Sequence, residues 1–520
     1  MLRRPRITPH RFAHRAVARP ASADVFVIGG GPAGAVAAKL LAEWGHRVRL
    51  VTRPLDPSRS LANSLPPSTH KLLAQTGIAD LVDRIGYRTS GNTVWWGERD
   101  GAVAPFSADA SAWGFQIDRA RLDPLLHEAA SRAGVEVETD ARVTRIDLEA
   151  DGVTIAYERP GAPMVCAARI VLDCSGRSGA LAVPHRLRQH VAGGRMQALV
   201  GVWERHGGWF LQNPSHTFIE TCHEGWAWSL PTSDTVRHVG IMVDGATSRV
   251  TRGPSLEATY RTQLALTRRI DRQVGGSTLL RVFACDASVY SARTHAGPGF
   301  ALVGDAGSTL NPLSSFGVKK ALASAWLAAV VANTCIAHPD RAAAATDFFT
   351  RWEAGVWQVN LKRSRDFAAE ALRRHPSAFW QTQASAAVDE AQIPADDAAM
   401  LGAPAVRAAL HHLRAADTVL FRRNPERTFV CAPLVRGTVI AIEEAVPLAT
   451  SGPRDARRYV RGIDLVTLAT VAPLATDIPV IYEAYCARHG ATALPDFLAS
   501  LSLLVAHDVL RVTAPGVRLP

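Results

Sequence analysis

Seven cysteines are scattered through 520 residues, and no two form a Cys-x-x-Cys pair. The odd count excludes a fully paired disulfide scaffold, and the wide spacing gives zinc no half-site. No metal is expected, and the unpaired thiols suit a reducing cytoplasm. A long hydrophobic run is also missing. The longest, around Ala321–Ala332, contains Ser324 and follows Lys319–Lys320. It is too short for a bilayer core of about 30 Å, so a buried helix is expected and no membrane partner. Acids are absent from residues 1–20, which hold Arg3, Arg4, Arg6, Arg11, Arg15 and Arg19. Without those six the net charge falls from +11 to +5. Residues 1–22 therefore read as a basic solvated arm on a nearly balanced body, which argues against nucleic acid. The arm has no apolar run of the kind a secretory signal needs. No repeat recurs at a fixed period.

What is present begins with residues 24–53, "DVFVIGGGPAGAVAAKLLAEWGHRVRLVTR". Asp24–Ile28 is a short apolar run, read as a buried strand. Gly29-x-Gly31-x-x-Gly34 follows at once; Ala35–Trp44 has helical composition, Gly45 stops it, and Arg47–Val51 is a second strand. Strand, glycine turn, helix and strand in this order make a dinucleotide site. Gly29 permits the tight turn, Gly31 lets the backbone approach a pyrophosphate, and Gly34 lets helix and strand pack closely. The helix start offers N–H groups to phosphates. An acid normally ends the second strand and binds ribose hydroxyls. Thr52 and Arg53 stand there instead. Thr52 can hydrogen-bond a ribose, and Arg53 can meet a 2′-phosphate, which keeps NADP open as a ligand.

Residues 300–322, "FALVGDAGSTLNPLSSFGVKKAL", supply a second corner. Phe300–Val303 is a short strand, Gly304–Asp305 ends it, and Gly317–Val318 opens a long helix. Asp305 can bind a ribityl hydroxyl, and the helix N-terminus can face the flavin edge where the reduced ring is negative. Two more stretches lie between the corners: "DRARLDPLLHEAASRAGVEV", which contains Arg119, and "VLDCSGRSG", residues 171–179. The ordered set resembles the FAD-dependent aromatic hydroxylase and flavin-dependent halogenase superfamily over roughly residues 24–335. That resemblance implies bound FAD with Arg119 near it and O₂ as co-substrate. Electrons would come from NAD(P)H or from a reductase partner. It also implies an α/β fold: a Rossmann-type FAD domain like that of p-hydroxybenzoate hydroxylase, from residues 23–180 and 285–340.

Residues 181–284 hold strand-like runs such as "MQALVGVWER" and "VRHVGIMVD". They read as an inserted, mostly antiparallel substrate-binding sheet. Trp203, Trp209, Trp226 and Trp228 gather here in sequence. "GWAWSLP", residues 225–231, resembles the halogenase signature tryptophan-x-tryptophan-x-isoleucine-proline, with Leu230 for isoleucine. Large rings can wall a pocket and exclude water; core packing of an alternating strand is the plainer alternative. Residues 341–430 have helical spacing. Residues 431–520 suggest a winged-helix-like domain with helices near 464–473, 479–488 and 495–506 and a strand at 508–513. Its third helix, "PDFLASLSLLVAH", has too little charge to grip phosphates. Small winged-helix modules of peptide-modifying systems bind a leader peptide by strand addition, and this segment resembles them; a packing domain is the other reading.

"NSLPPSTHKLL", residues 63–73, raises the question of halide chemistry. In the halogenase pattern a glycine–glutamate pair precedes a proline, and a lysine lies eight residues after the glutamate. Asn63 and Lys71 keep the spacing of eight, but Ala62–Asn63 replaces the pair. Alternatively Lys71 is a solvated lysine on a helix started by Pro66–Pro67 and stopped by Gly77. Tryptophan halogenases carry a glutamate before Pro-Leu-x-Ser-Thr-Gly. Here "NPLSSFG" puts Asn311 for the glutamate and Phe316 for the threonine. An amide cannot serve as a general base at neutral pH. The expectation is therefore hydroxylation of an electron-rich ring through a flavin C4a-hydroperoxide, with Lys71, Asn311, Phe316, Trp226 and Trp228 as pocket residues. A halogenase using Lys71, a flavin-dependent reductase and a peptide-binding scaffold remain alternatives. "SLPPS", "GWAWSLPTSD" and the appended domain resemble the monooxygenases of tryptophylquinone biogenesis that mature quinohemoprotein amine dehydrogenase. That resemblance implies a tryptophan-containing precursor peptide as substrate, docked on the C-terminal domain.

Overall fold

The computed structural model describes residues 21–97, 99–109, 111–191, 194–245, 254–416, 418–448 and 456–513. Of the expected basic arm, residues 1–20 lie outside the described residues. Its last two, Ala21 and Ser22, already belong to the first strand. Two compact units divide the chain: residues up to Ala332 with Arg363–Ala386, and Asn333–Lys362 with residues from Ala387 onward.

The first unit opens with β1 (Ala21–Ile28), α1 (Pro32–Glu43) and β2 (Val48–Val51). Next come β3 (Gly91–Trp96), β4 (Arg99–Pro105), α2 (Arg119–Arg132) and β5 (Ala162–Asp173). Five strands follow: β6 (Met196–Glu204), β7 (Thr217–Cys222), β8 (Gly225–Pro231), β9 (Val236–Asp244) and β10 (Thr278–Asp286). The short β11 (Phe300–Leu302) and α3 (Gly317–Ala337) follow, and α4 (Ala342–Arg374) begins in the second unit and ends in the first. β11, β5, β1 and β2 lie side by side and parallel, with Glu136–Glu138 beyond β2. Such strands are covered on both faces, which is why Val25, Phe26 and Val27 run on as apolar neighbours, all fully buried.

The second sheet runs β10-β6-β9-β8-β7-β3-β4. It is antiparallel throughout except where β7 pairs with β3 in parallel. The inserted sheet was expected from residues 181–284 alone. Instead β3 and β4, from inside the expected FAD segment, extend it. Parallel pairing between distant segments leaves no local turn signal, which is why the border fell in the wrong place.

Alternation along β8 puts Trp226 and Trp228 on one face and Ala227 on the other. Ala227 joins a buried cluster with Leu199, Trp203, Trp209, Tyr260 and Ile270. The four tryptophans therefore divide. The Trp203 indole N–H donates to the Tyr260 hydroxyl at 2.8 Å, and that of Trp209 to the Thr235 carbonyl at 2.9 Å. Trp96, 1% exposed, meets Trp226 edge-on at 6.3 Å, Phe367 at 6.0 Å and Trp380 at 5.5 Å between ring centroids. Trp380 in turn donates its indole N–H to the Cys222 carbonyl at 2.9 Å. So the segment 363–386, which returns to the first unit, covers one end of strands β3, β7 and β8.

α3 is longer than the apolar stretch expected from sequence. Its 21 residues are long and apolar enough to span a membrane, yet 67% of that window is buried inside the protein. It is a core helix.

The second unit holds helices Leu465–Val471, Ile478–His489 and Leu494–Ala506. Strand Leu510–Thr513 pairs antiparallel with Leu420–Arg423, and a hairpin joins Val430–Arg436 to Val439–Pro447. Its core includes Leu465, Leu468, Tyr485, Phe497 and Leu504, all fully buried. The expected border at 430/431 is absent. Val406 and Leu413, from helix Pro404–Ala415, are buried in the same core, so the helical region and the C-terminal domain share one interior.

Candidate functional site

Gly29 sits at the end of β1 with φ of +99°, where a side chain is strained, and a Cβ there would stand 2.5 Å from the Cys174 carbonyl oxygen. A Cβ on Gly34 would meet the Gly29 carbonyl oxygen at 1.8 Å, so only glycine lets α1 approach this closely. α1 begins at Pro32 after Gly31, with no side-chain cap on its first N–H groups. Those donors are left for a ligand. The Arg119 guanidinium reaches within 3.1 Å of where a Gly31 Cβ would be, and Asp123 holds it by two bonds of 2.6 Å. His127 Nε2 braces the same turn, 2.7 Å from the Gly30 carbonyl oxygen. Uncapped N–H groups, a backbone without Cβ atoms and a fixed arginine fit the diphosphate of a dinucleotide such as FAD. At the end of β2 the Thr52 hydroxyl donates to the Arg53 carbonyl at 3.3 Å, and Arg53 is exposed.

The second corner follows β11. The Val303 N–H donates to the Asp173 carbonyl at 2.9 Å, and Gly304–Ala306 forms one tight turn. Lys320, in the first turn of α3 and 4% exposed, donates from Nζ to the carbonyls of Gly304 at 2.7 Å and Ser308 at 2.6 Å. The turn is thereby clamped to the helix. Asp305, half-buried, has no protein donor on its carboxylate among the described residues, an acceptor free for a ribityl hydroxyl.

A cavity of about 280 Å³ joins this corner to the sheet. Asp305, Gly317, Val318 and Asn311 line one side, and Trp226, Trp228, Leu230 and Met242 another. Asn311 Oδ1 accepts the Leu313 N–H at 3.1 Å and caps the turn Pro312–Ser314, which leaves its amide N–H₂. Asn63 lines the cavity as well, and its Oδ1 is buried with no hydrogen-bond donor among the described residues. His238, on β9 opposite Leu230, is buried, and its Nδ1 has no partner among the described residues; burial pushes its pKa down to about 4, so the ring is neutral at pH 7.

Two expected pocket residues are not among the cavity's lining. Lys71 is exposed on the short helix His70–Gln75. Phe316 turns its ring to the Lys319 ammonium at 5.1 Å. Trp203 and Trp209 are likewise outside it. Sequence reading missed three rim residues: Arg59, Arg177 and Asp286. Arg177 Nη1 donates to the Ser288 carbonyl at 2.9 Å and lies 3.5 Å from Asp286. Arg177 stands inside "VLDCSGRSG", so the segment was in view, but an arginine's direction is not written in its neighbours.

The family model described as "FAD binding domain" matches residues 22–331, and the chain belongs to that family. It is a flavin-dependent oxidative enzyme of the halogenase and aromatic monooxygenase group. Tryptophan 2-halogenase of Chondromyces crocatus is 29% identical over 368 residues, 67% of this chain and 70% of that protein. Among solved structures, the flavin-dependent halogenase CmlS superposes with a TM-score of 0.75 at 21% identity, over 95% of this chain and 96% of CmlS. QhpG, a peptidyl tryptophan dihydroxylase essential for tryptophylquinone cofactor biogenesis, superposes at 0.65 and 20% identity, over 94% and 99%. At these identities the structural likeness establishes the fold.

Proposed function

We propose that the enzyme hydroxylates an electron-rich aromatic ring, and that the ring is a tryptophan side chain of a precursor peptide. The observation that carries this reading is the cavity that joins the Asp305 corner to Trp226 and Trp228 with no lysine in its lining. Electrophilic halogenation by way of a lysine needs that amine beside the ring, whereas Lys71 is exposed elsewhere. FAD, once reduced, supplies the activation of O₂ that ring hydroxylation requires; the electrons come from NAD(P)H or a reductase partner.

The chain's own residues do the remaining work. Gly29, Gly31, Gly34 and Arg119 hold the diphosphate, and Asp305 a ribityl hydroxyl. Thr52 meets the ribose, with Arg53 outside it. The N–H groups at Gly317 and Val318 face the flavin edge. Trp226 and Trp228 orient the substrate ring and exclude water. The buried acceptor Asn63 Oδ1 takes the indole N–H, and the Asn311 amide can donate to the new hydroxyl. The second unit docks the peptide, and the unpaired thiols suit a reducing cytoplasm.

Mass spectrometry of candidate precursor peptides co-expressed with the enzyme tests the reading. Gain of one or two oxygen atoms on a tryptophan, independent of chloride, is the expected result. A chloride-dependent product with a chlorine isotope pattern, lost in Lys71→Ala, would replace it by the halogenase reading.

A further inference from the structure

The other face of the seven-stranded sheet carries chemistry that the oxidative cavity does not use. Alternation along β7 sends Ile219 to the cavity and Phe218 and Glu220 outward. Glu220 is 5% exposed, and its carboxylate accepts the backbone N–H groups of Arg268 at 2.7 Å, Arg269 at 2.9 Å and Ile270 at 2.8 Å. The Glu220 carboxylate is thus occupied by main chain, and the turn it fixes presents Arg268 and Arg269 beside it.

A cavity of about 520 Å³ opens there, lined by Arg268, Arg269, Arg374, His223 and His375. His375 Nε2 lies 3.1 Å from the Thr221 hydroxyl. Burial, then Arg374, His223 and Arg268, hold its pKa below the ordinary histidine value. Among the described residues no carboxylate lies within ion-pair distance of Arg268 or Arg374. A second cavity of about 520 Å³ shares Trp95 and Arg269 with the first and adds Arg205 and Arg272. There Trp95 stacks on Phe218 with centroids 5.8 Å apart and planes within 13°.

We propose that this outer-face trough binds a nucleotide polyphosphate, with its phosphates against Arg268, Arg269 and Arg374 and its base against Trp95. Guanidinium forks match phosphate oxygens two at a time, where a lone carboxylate would need fewer. A half-exposed indole flanked by arginines suits a planar base beside its charges. The trough faces away from Trp226, Trp228 and Asp305, so its ligand is bound rather than oxidised.

Calorimetric titration of the full-length, FAD-loaded enzyme with ADP tests the site, because FAD then fills the glycine turn. Saturable binding at one site is expected, weakened at least tenfold in Arg268→Glu and Arg374→Glu with the visible flavin band unchanged. Should a charge reversal fail to fold, Arg268→Gln is expected to weaken binding by a smaller factor. Trp95→Ala is expected to weaken ADP but not inorganic pyrophosphate. Absence of saturable heat, equal affinity in wild type and the arginine variants, equal loss of both ligands in Trp95→Ala, or tighter binding of an aspartate-rich peptide would each overturn the proposal. None of these outcomes depends on which ring the enzyme oxidises.

Discussion

At the scale of single residues, burial separates candidates that the sequence left level. Lys71 and Asn63 belong to the same quoted stretch, eight positions apart. One is solvated, and the other offers an unused buried oxygen to the cavity. Lys71→Ala is therefore expected to leave turnover unchanged and to shift stability by no more than about 0.5 kcal/mol, read by steady-state assay and thermal melting. Asn63→Ala is expected to slow hydroxylation of an indole by roughly tenfold, the worth of one hydrogen bond, with no further loss on an N-methylated indole. His238 and His295 make stability depend on pH. Burial lowers their pKa values from 6.5 to about 4 and about 3, with Lys320 adding to the effect on His295. In the unfolded chain both take up a proton near pH 6.5, while the folded protein does not. Their contribution is full above that pH and is lost as pH falls toward 4 for His238 and 3 for His295, about 1.4 kcal/mol per pH unit per group. Melting curves between pH 7 and pH 4 should show the decline, and His238→Gln should make it shallower.

At the scale of elements, local grammar was legible and pairing was not. The glycine turn, the Gly304–Asp305 corner and the C-terminal helices stand close to where composition and punctuation put them, since each is fixed within a dozen residues. That β3 would pair with β7, or that Trp203 and Trp226 would face opposite ways, depends on register between distant strands. The parity of Trp226 and Trp228 was readable, and the resemblance of "GWAWSLP" to the halogenase signature put both in the pocket, with core packing as the alternative. Close approaches now make these elements testable. A Cβ on Gly240 would stand 2.3 Å from the Trp228 ring, on the strand directly opposite. Gly240→Ala is expected to displace that ring by about 1 Å and cut turnover on the order of 100-fold, while the protein stays yellow. Gly34→Ala, by contrast, forces α1 off β1 and should yield protein that retains no flavin, read from its visible absorbance.

For the whole molecule, two units with separate interiors should respond separately to a ligand. FAD at 100 times its Kd is expected to stabilise the first unit by about 2.7 kcal/mol. Scanning calorimetry should show that transition move upward and the transition of the second unit stay. The covering of these strand ends by residues 363–386 bears on how the protein is made. A ribosome delivers β3, β7 and β8 long before Trp380. Until that indole emerges to seal Trp96, the nascent chain holds an uncovered aromatic seam, and it is at this stage of synthesis that a chaperone has something to grasp.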